Sequence, residues 1–237
     1  MKLAVFDLDG TLTQTSHVDA ECYEQALREI AGIRDVRTDW STYEHATDTG
    51  IIDEIYRERF GRSPTDEECD VVQARLIELF HARCAREDSE FGEVPGAGNF
   101  LRNLLEKGWM TSLATGAWRC SAEFKISRSG LPIADLPIAV AEDGPSREAI
   151  LCAAIERARE RYEVQGFDRV VAVGDGVWDI RAAAASRLPF VGVAQEPGAG
   201  ELHAQGASHV LEDYLDHERW LRALEEARIP IKPAEAL

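Results

Sequence analysis

The residues of this chain best suited to chemistry are aspartates set at the ends of apolar runs. Residues 3–13 read LAVFDLDGTLT, an apolar run closing on Asp7 and Asp9 and then on Gly10 and Thr11. A run of this kind bounded by glycine reads as a short buried strand. Alternation along it turns Asp7 and Asp9 to one side and sends Leu8 into the packing. Two carboxylates aimed at one small volume repel by roughly 4 kcal/mol at about 4 Å and an effective dielectric near 20. Something cationic is wanted there. Residues 170–179, VVAVGDGVWD, repeat the device: Asp175 follows an apolar strand and Asp179 lies one turn into the next helix. Both can face the end of the first strand. Hard oxygen ligands with waters retained are what magnesium requires, although a helix N-terminus would also favour Asp175 with no metal.

These residues need a scaffold that brings distant strand ends together. After Thr13 the strand signal stops, and residues 18–31 carry Cys22, Ala26, Leu27 and Ile30 at helical spacing with Gly32 as a stop. Further helices are expected over 38–47, 50–60 and 65–86, the last opening on the start signal SPTDE. Residues 92–98, with Pro95, read as a linker. Beyond it helix and strand alternate: helices over 99–107, 118–129, 147–161, 177–186 and 214–227, strands over 109–114, 137–140, 169–173, 190–193 and 209–211. Such alternation implies a doubly wound parallel sheet, a Rossmann-like α/β fold to which the first strand also belongs. The expected organisation is a core of residues 1–14 and 92–237 with an all-helical cap, 15–91, inserted after the first strand. Open sheets of this kind place their chemistry at the carboxyl ends of the strands. The tail from residue 230 is expected to be loosely held.

Composition narrows the classes. With 237 residues, 45% hydrophobic and 29% charged, the chain has the make-up of a globular protein with one large domain or a core and an insertion. No apolar run approaches a membrane span, and the start enters a strand with no signal-peptide pattern, so no membrane association and a cytoplasmic location are the expectations. Cys22, Cys69, Cys84, Cys120 and Cys152 form no Cys-x-x-Cys pair and are expected to be buried thiols, not a disulfide framework or a zinc site. A formal net charge of −17 argues against nucleic acid as partner. It leaves room for a small phosphorylated metabolite, because a local cation can override the average field in a cleft. Nothing in the sequence sets an oligomeric state.

Asp7, Asp9 and Thr11, in the order FDLDGT, resemble the signature of the haloacid dehalogenase superfamily of aspartate-nucleophile hydrolases. The resemblance implies that Asp7 attacks phosphorus and Asp9 serves as general acid and base. Residues 109–116, WMTSLATG, look like the family's second motif, in which the Thr115 hydroxyl and the Gly116 N–H would hold phosphate oxygens. Taken alone, that threonine could simply start a helix. VVAVGDGVWD looks like the fourth motif. By resemblance a magnesium ion would be held by an Asp7 oxygen, the Asp9 backbone carbonyl and Asp175, with Asp179 supporting from further out. The third motif departs from the common form: where most relatives place a lysine, residues 142–150 read EDGPSREAI, and Arg147 is the cation in that place. Arginine offers two hydrogen bonds where lysine offers a point charge. Lys125 is a rival cation, but mid-helix after the second motif is the wrong location for that role.

Between the first and second motifs many relatives carry a cap that closes over the active site and contacts the part of the substrate that is not phosphate. Thr15, Asp19, Thr47 and Asp48 are the polar candidates on that side, while Trp40 and Trp118 read as packing residues. The expected enzyme is a magnesium-dependent phosphatase acting on a small phosphomonoester. A sugar-phosphate mutase is less well matched, since the histidine that some such relatives carry twelve residues after the nucleophile is Asp19 here and His17 does not align. A dehalogenase of the same superfamily would lack the acid that Asp9 provides. A non-catalytic binding module on the same fold is the remaining alternative, and a receiver domain is excluded by length and by the helical insertion.

Overall fold

The computed structural model describes residues 1–86 and 88–231, so the expected loose tail falls almost wholly on residues outside the described ones. Strands β1 (Lys2–Phe6), β2 (Trp109–Ala114), β3 (Ile138–Ala139), β4 (Arg169–Gly174), β5 (Phe190–Val193) and β6 (Val210–Leu211) form one six-stranded sheet in the order β3-β2-β1-β4-β5-β6. All neighbours are parallel. β1 lies between β2 and β4, with Phe6 level with Leu113 on one side and Val173 on the other. The strand ends that carry Asp7, Thr115 and Asp175 therefore sit side by side, although they are far apart in the chain.

Between β1 and β2 the chain inserts α1 (Ser16–Ile30), α2 (Asp48–Phe60) and α3 (Asp66–Cys84). It then continues through α4 (Ala97–Glu106), α5 (Arg119–Ser129), α6 (Arg147–Arg161), α7 (Val177–Ala185), α8 (Gly198–Ala204) and α9 (His217–Glu226). Side-chain alternation along β1 splits the core in two. Ala4, Phe6 and Leu8 pack with Phe100, Leu104, Trp220 and Leu224 of α4 and α9, whereas Leu3 and Val5 pack with Ile150, Leu151, Ile180 and Leu202 of α6, α7 and α8. Each fully buried Val, Leu, Ile or Phe among these contributes about 1.5–3 kcal/mol relative to its exposed form. Continuing that alternation, Asp7 and Asp9 leave the side on which Leu8 is buried.

The insertion buries a core of its own, in which Val18, Cys22, Leu27, Ile52, Leu76 and Phe80 pack together with Trp118 and Phe124 from the α5 region. It thus rests directly on the sheet domain. Where the chain leaves and re-enters the sheet, the two passes are tied by the Gln14 N–H donating to Gly92 O and the Val94 N–H donating to Leu12 O, both at 2.9 Å. The start signal of α3 is a full capping box between Thr65 and Glu68.

Four expectations need correcting. Residues 38–47 do not form a helix. Only the single 3-10 turn Trp40–Thr42 forms there, because the Asp39 side chain accepts from Ser41 N–H and closes a local turn, and Thr47 is held extended (φ −131°, ψ 150°) as the N-cap of α2. α8 was missed, since GAGELHA carries two glycines and only Leu202 of the seven residues is buried. The final helix starts three residues later than expected, at His217, where Asp216 caps it. Of the cysteines expected to be buried, Cys22 is, but Cys152 is exposed. Among the described residues no helix is long and apolar enough to cross a membrane.

Candidate active site

Asp7 is the first residue beyond β1, and its N–H still donates to Val173 O of β4 at 2.9 Å, so the sheet itself fixes where its side chain begins. The chain then turns at Gly10, whose φ of +74° is open to glycine. A Cβ there would come within 2.0 Å of Asp175 Oδ2. Glycine at this position is thus what lets the Asp175 carboxylate approach the first strand's end. Asp179 is placed by its own helix start, with Oδ2 accepting from Gly176 N–H at 3.1 Å. Gly174 leaves it space, since a Cβ there would meet the Asp179 side chain at 2.5 Å.

Carboxylate oxygens of Asp7, Asp175 and Asp179 lie within 4.8 Å of one another. Asp179, expected to support from further out, offers an oxygen as close as the other two. Burial first, and then mutual repulsion, push these acids up: Asp7 to about 8, Asp175 well above the usual carboxylate range. Asp179 is raised by burial, against the pull of Arg147. Three buried hard oxygen donors whose ionisation is opposed by burial fit a divalent cation, which would favour all three ionised forms. The side chain of Asp9 stands apart from this group. Its carboxylate accepts from the Thr15 hydroxyl at 2.5 Å and meets the Lys125 ammonium at 2.8 Å.

Arg147 opens α6, behind the N-cap Ser146. Its Nη1 lies 2.9 Å from Asp7 Oδ1 and 3.3 Å from Asp179 Oδ1, and its Nε donates to Ala46 O at 2.6 Å. The guanidinium lies over the Trp178 ring, 5.8 Å from its centroid. It also passes directly in front of Gly116, where a Cβ would be 2.5 Å from Arg147 Cζ. The missing side chain at Gly116 makes room for the arginine. The Thr115 oxygen accepts from Ala117 N–H at 3.2 Å; the residue is buried and outside the cleft lining, while Gly116 and Ala117 belong to that lining.

A cleft opens beside these groups. Its walls include Asp7, Asp9, Arg147 and Asp175 from the sheet domain and Asp19, Tyr23, Trp40, Thr47, Asp48 and Ile51 from the insertion. Of the candidates on the insertion side, Asp19, Thr47 and Asp48 face this cleft; Thr15 is fully buried against Asp9. Asp48 also holds the two parts together: its N–H donates to Gly116 O and its Oδ2 accepts from Trp118 N–H, each at 2.8 Å. Burial, followed by repulsion from Asp19, pushes Asp48 up to about 8.

Sequence reasoning missed Tyr23, Trp178 and the position of Lys125. Trp178 sits inside the fourth acidic stretch, where its neighbour Asp179 was already marked. Tyr23 follows Cys22 on the buried face of α1, a place that reads as core. Trp40, which reads as a packing residue, does pack against the insertion's core and lines the cleft as well.

A model of the haloacid dehalogenase-like hydrolase family matches residues 1–187. A hydrolase from Pseudomonas syringae superposes with a TM-score of 0.71 at 23% identity, over 96% of this chain and 100% of that one. CbbY from Rhodobacter sphaeroides, in complex with phosphate, gives 0.65 at 20% identity over 90% and 95%. A family IA, variant 3 hydrolase from Entamoeba histolytica gives 0.63 at 14% identity over 95% and 100%. At these identities the likeness concerns the fold. No curated protein matches the chain.

Proposed function

Since the chain belongs to the haloacid dehalogenase-like hydrolase family, we propose that it is a magnesium-dependent phosphatase that hydrolyses a small phosphomonoester through an aspartyl phosphate on Asp7. The observation that carries this reading is the convergence of Asp7, Asp175 and Asp179 within 4.8 Å, with Arg147 on two of them. In the first step an Asp7 oxygen attacks phosphorus in line and the bond from phosphorus to the leaving oxygen breaks. Asp9 gives that oxygen its proton. In the second step water attacks the phosphorus of the aspartyl phosphate, Asp9 takes a proton from the water, and inorganic phosphate leaves the restored Asp7 carboxylate. Arg147 and the Gly116 N–H are the groups of this chain assigned to the phosphoryl oxygens, with the buried Thr115 oxygen accepting from Ala117 N–H beside them.

Asp7, the Asp9 backbone carbonyl, Asp175 and Asp179 are the residues that would hold magnesium. Bound there, it would supply positive charge to the phosphoryl oxygens and keep Asp7 ionised. The organic part of the substrate is assigned to the wall formed by Asp19, Tyr23, Trp40, Thr47, Asp48 and Ile51 of the insertion, with residues 15–91 acting as cap and 1–14 with 92–237 as catalytic core. Structures of CbbY hold phosphate and, in a variant, xylulose-(1,5)bisphosphate, which supports a phosphorylated ligand for this chain.

A panel of phosphorylated metabolites, assayed with magnesium and with excess chelator, tests the proposal. Phosphate release that requires the metal is expected. Phosphate release that survives complete chelation would overturn the metal requirement, and the absence of phosphate release from every compound, p-nitrophenyl phosphate included, would overturn the phosphatase reading.

A further inference from the structure

The steps above leave one buried cation without a task. Lys125, on α5, has no exposed surface. Its Nζ lies 2.8 Å from Asp9 Oδ1, 2.9 Å from Asp9 Oδ2 and 2.5 Å from Asp19 Oδ1. The Phe80 ring of α3 covers it, 5.6 Å from Nζ to the centroid. Taking an ammonium out of water is among the costliest burials a chain can make. Here the negative charges of Asp9 and Asp19, both within contact of the ammonium, offset that cost.

An ion pair serving only to fasten the insertion to the sheet domain would need Asp19 and nothing else. Lys125 instead reaches both oxygens of the carboxylate two residues beyond Asp7, and the Thr15 hydroxyl donates to one of them. Thr15 is itself fully buried, which limits the movement of that hydroxyl. The Asp9 side chain therefore has its rotation taken away from the side opposite the cleft. Proton transfer falls off steeply once donor and acceptor leave hydrogen-bonding reach, so the orientation of this carboxylate bears directly on rate.

We propose that Lys125 is a positioning residue for Asp9: its ammonium, with the Thr15 hydroxyl, fixes the carboxylate that passes the proton to the leaving oxygen. This rests on the phosphatase reading above. The proton comes from Asp9 and returns to Asp9 from water, and Lys125 keeps its own throughout.

The test compares kcat/KM for two kinds of substrate, since kcat/KM covers only the steps up to formation of the aspartyl phosphate. An alkyl phosphate, the best found in the metabolite panel, needs its leaving oxygen protonated. p-Nitrophenyl phosphate loses a stabilised phenolate and needs no acid. In Lys125→Met the ratio of alkyl to p-nitrophenyl kcat/KM falls by at least about tenfold. An equal loss on both substrates would show that Lys125 only supports the fold and would overturn the proposal. Should Lys125→Met fail to fold, Lys125→Met with Asp19→Asn is set against Asp19→Asn alone. The double variant retains one negative charge from Asp9, the same sum as Asp9, Asp19 and Lys125 together in the native trio. The same fall in the ratio between those two proteins is expected, and an unchanged ratio would overturn the proposal. A native enzyme inert towards both substrates would sink the phosphatase reading itself, which is a separate outcome.

Discussion

The Arg147 guanidinium rests on the Asp7 carboxylate, Nη1 to Oδ1 at 2.9 Å, in the space that the missing side chain of Gly116 leaves open. The two positions are therefore linked. Arg147→Met removes the cation from Asp7 and Asp179 and is expected to lower kcat/KM by about a hundredfold, the size of a lost charge-stabilising donor. Arg147→Lys restores the charge but cannot contact Asp7 and Ala46 O together, so it should recover part of the loss only. Gly116→Ala pushes the guanidinium aside and should resemble Arg147→Lys more than Arg147→Met. Steady-state kinetics on p-nitrophenyl phosphate checks all three, and native activity in Arg147→Met would remove the arginine from the mechanism.

Much of this was legible in the sequence because it is local. The apolar runs ending in Asp7 and Asp175, the glycine after each turn, and the helix start at Ser146 and Arg147 are each signalled by residues within ten positions in the chain. The sheet order brings their ends together without further information. Lys125 was not legible in the same way: its burial depends on Asp9 and Asp19, which lie on other elements, and nothing in its own helix marks it. The failed helix over residues 38–47 has the opposite cause. A helix is expected there, and side-chain competition from Asp39 and Thr47 for the backbone decides otherwise.

The buried acids tie stability to pH and metal. Burial raises Asp7 to about 8, with Asp175 and Asp179 raised as well, so the folded protein binds protons that the unfolded chain gives up near pH 4. For a raised carboxyl the sign is that folding loses stability as pH rises from the unfolded pKa towards the folded one. The chelated protein should therefore melt at a lower temperature near about pH 8 than near about pH 5. Added magnesium or manganese should raise the melting temperature more at the higher pH, because the cation replaces protons. A metal effect equal at both pH values would contradict the carboxylate site.

Gly10 tests the approach of Asp175 to the first strand. Gly10→Ala meets both a left-handed φ of +74° and a carboxylate oxygen 2.0 Å from the new Cβ. The expected result is a loss of at least about 1 kcal/mol of stability, with weaker manganese binding by calorimetric titration. Unchanged metal affinity would show that Asp175 need not sit where it does.

Charge in the cleft sets a preference among substrates. Beyond Arg147, the charged described residues on its walls are acids, among them Asp19 and Asp48 on the insertion side. A phosphomonoester with a second anionic group should have kcat/KM at least about tenfold below that of an uncharged analogue of similar size, since like charges in a confined site repel. Matched pairs of sugar monophosphates and bisphosphates measure this. A preference for the bisphosphates would place an unassigned cation in the cleft.

The central claim is that the Asp7 oxygen becomes bonded to phosphorus. Rapid quenching during turnover, reduction of the trapped acyl phosphate with borohydride and peptide mass spectrometry would convert a phosphorylated Asp7 into homoserine. Homoserine at position 7 that requires both magnesium and substrate, and is absent from Asp7→Asn, is the predicted result. Steady phosphate release with residue 7 unmodified, or with the label on another carboxylate, would contradict it.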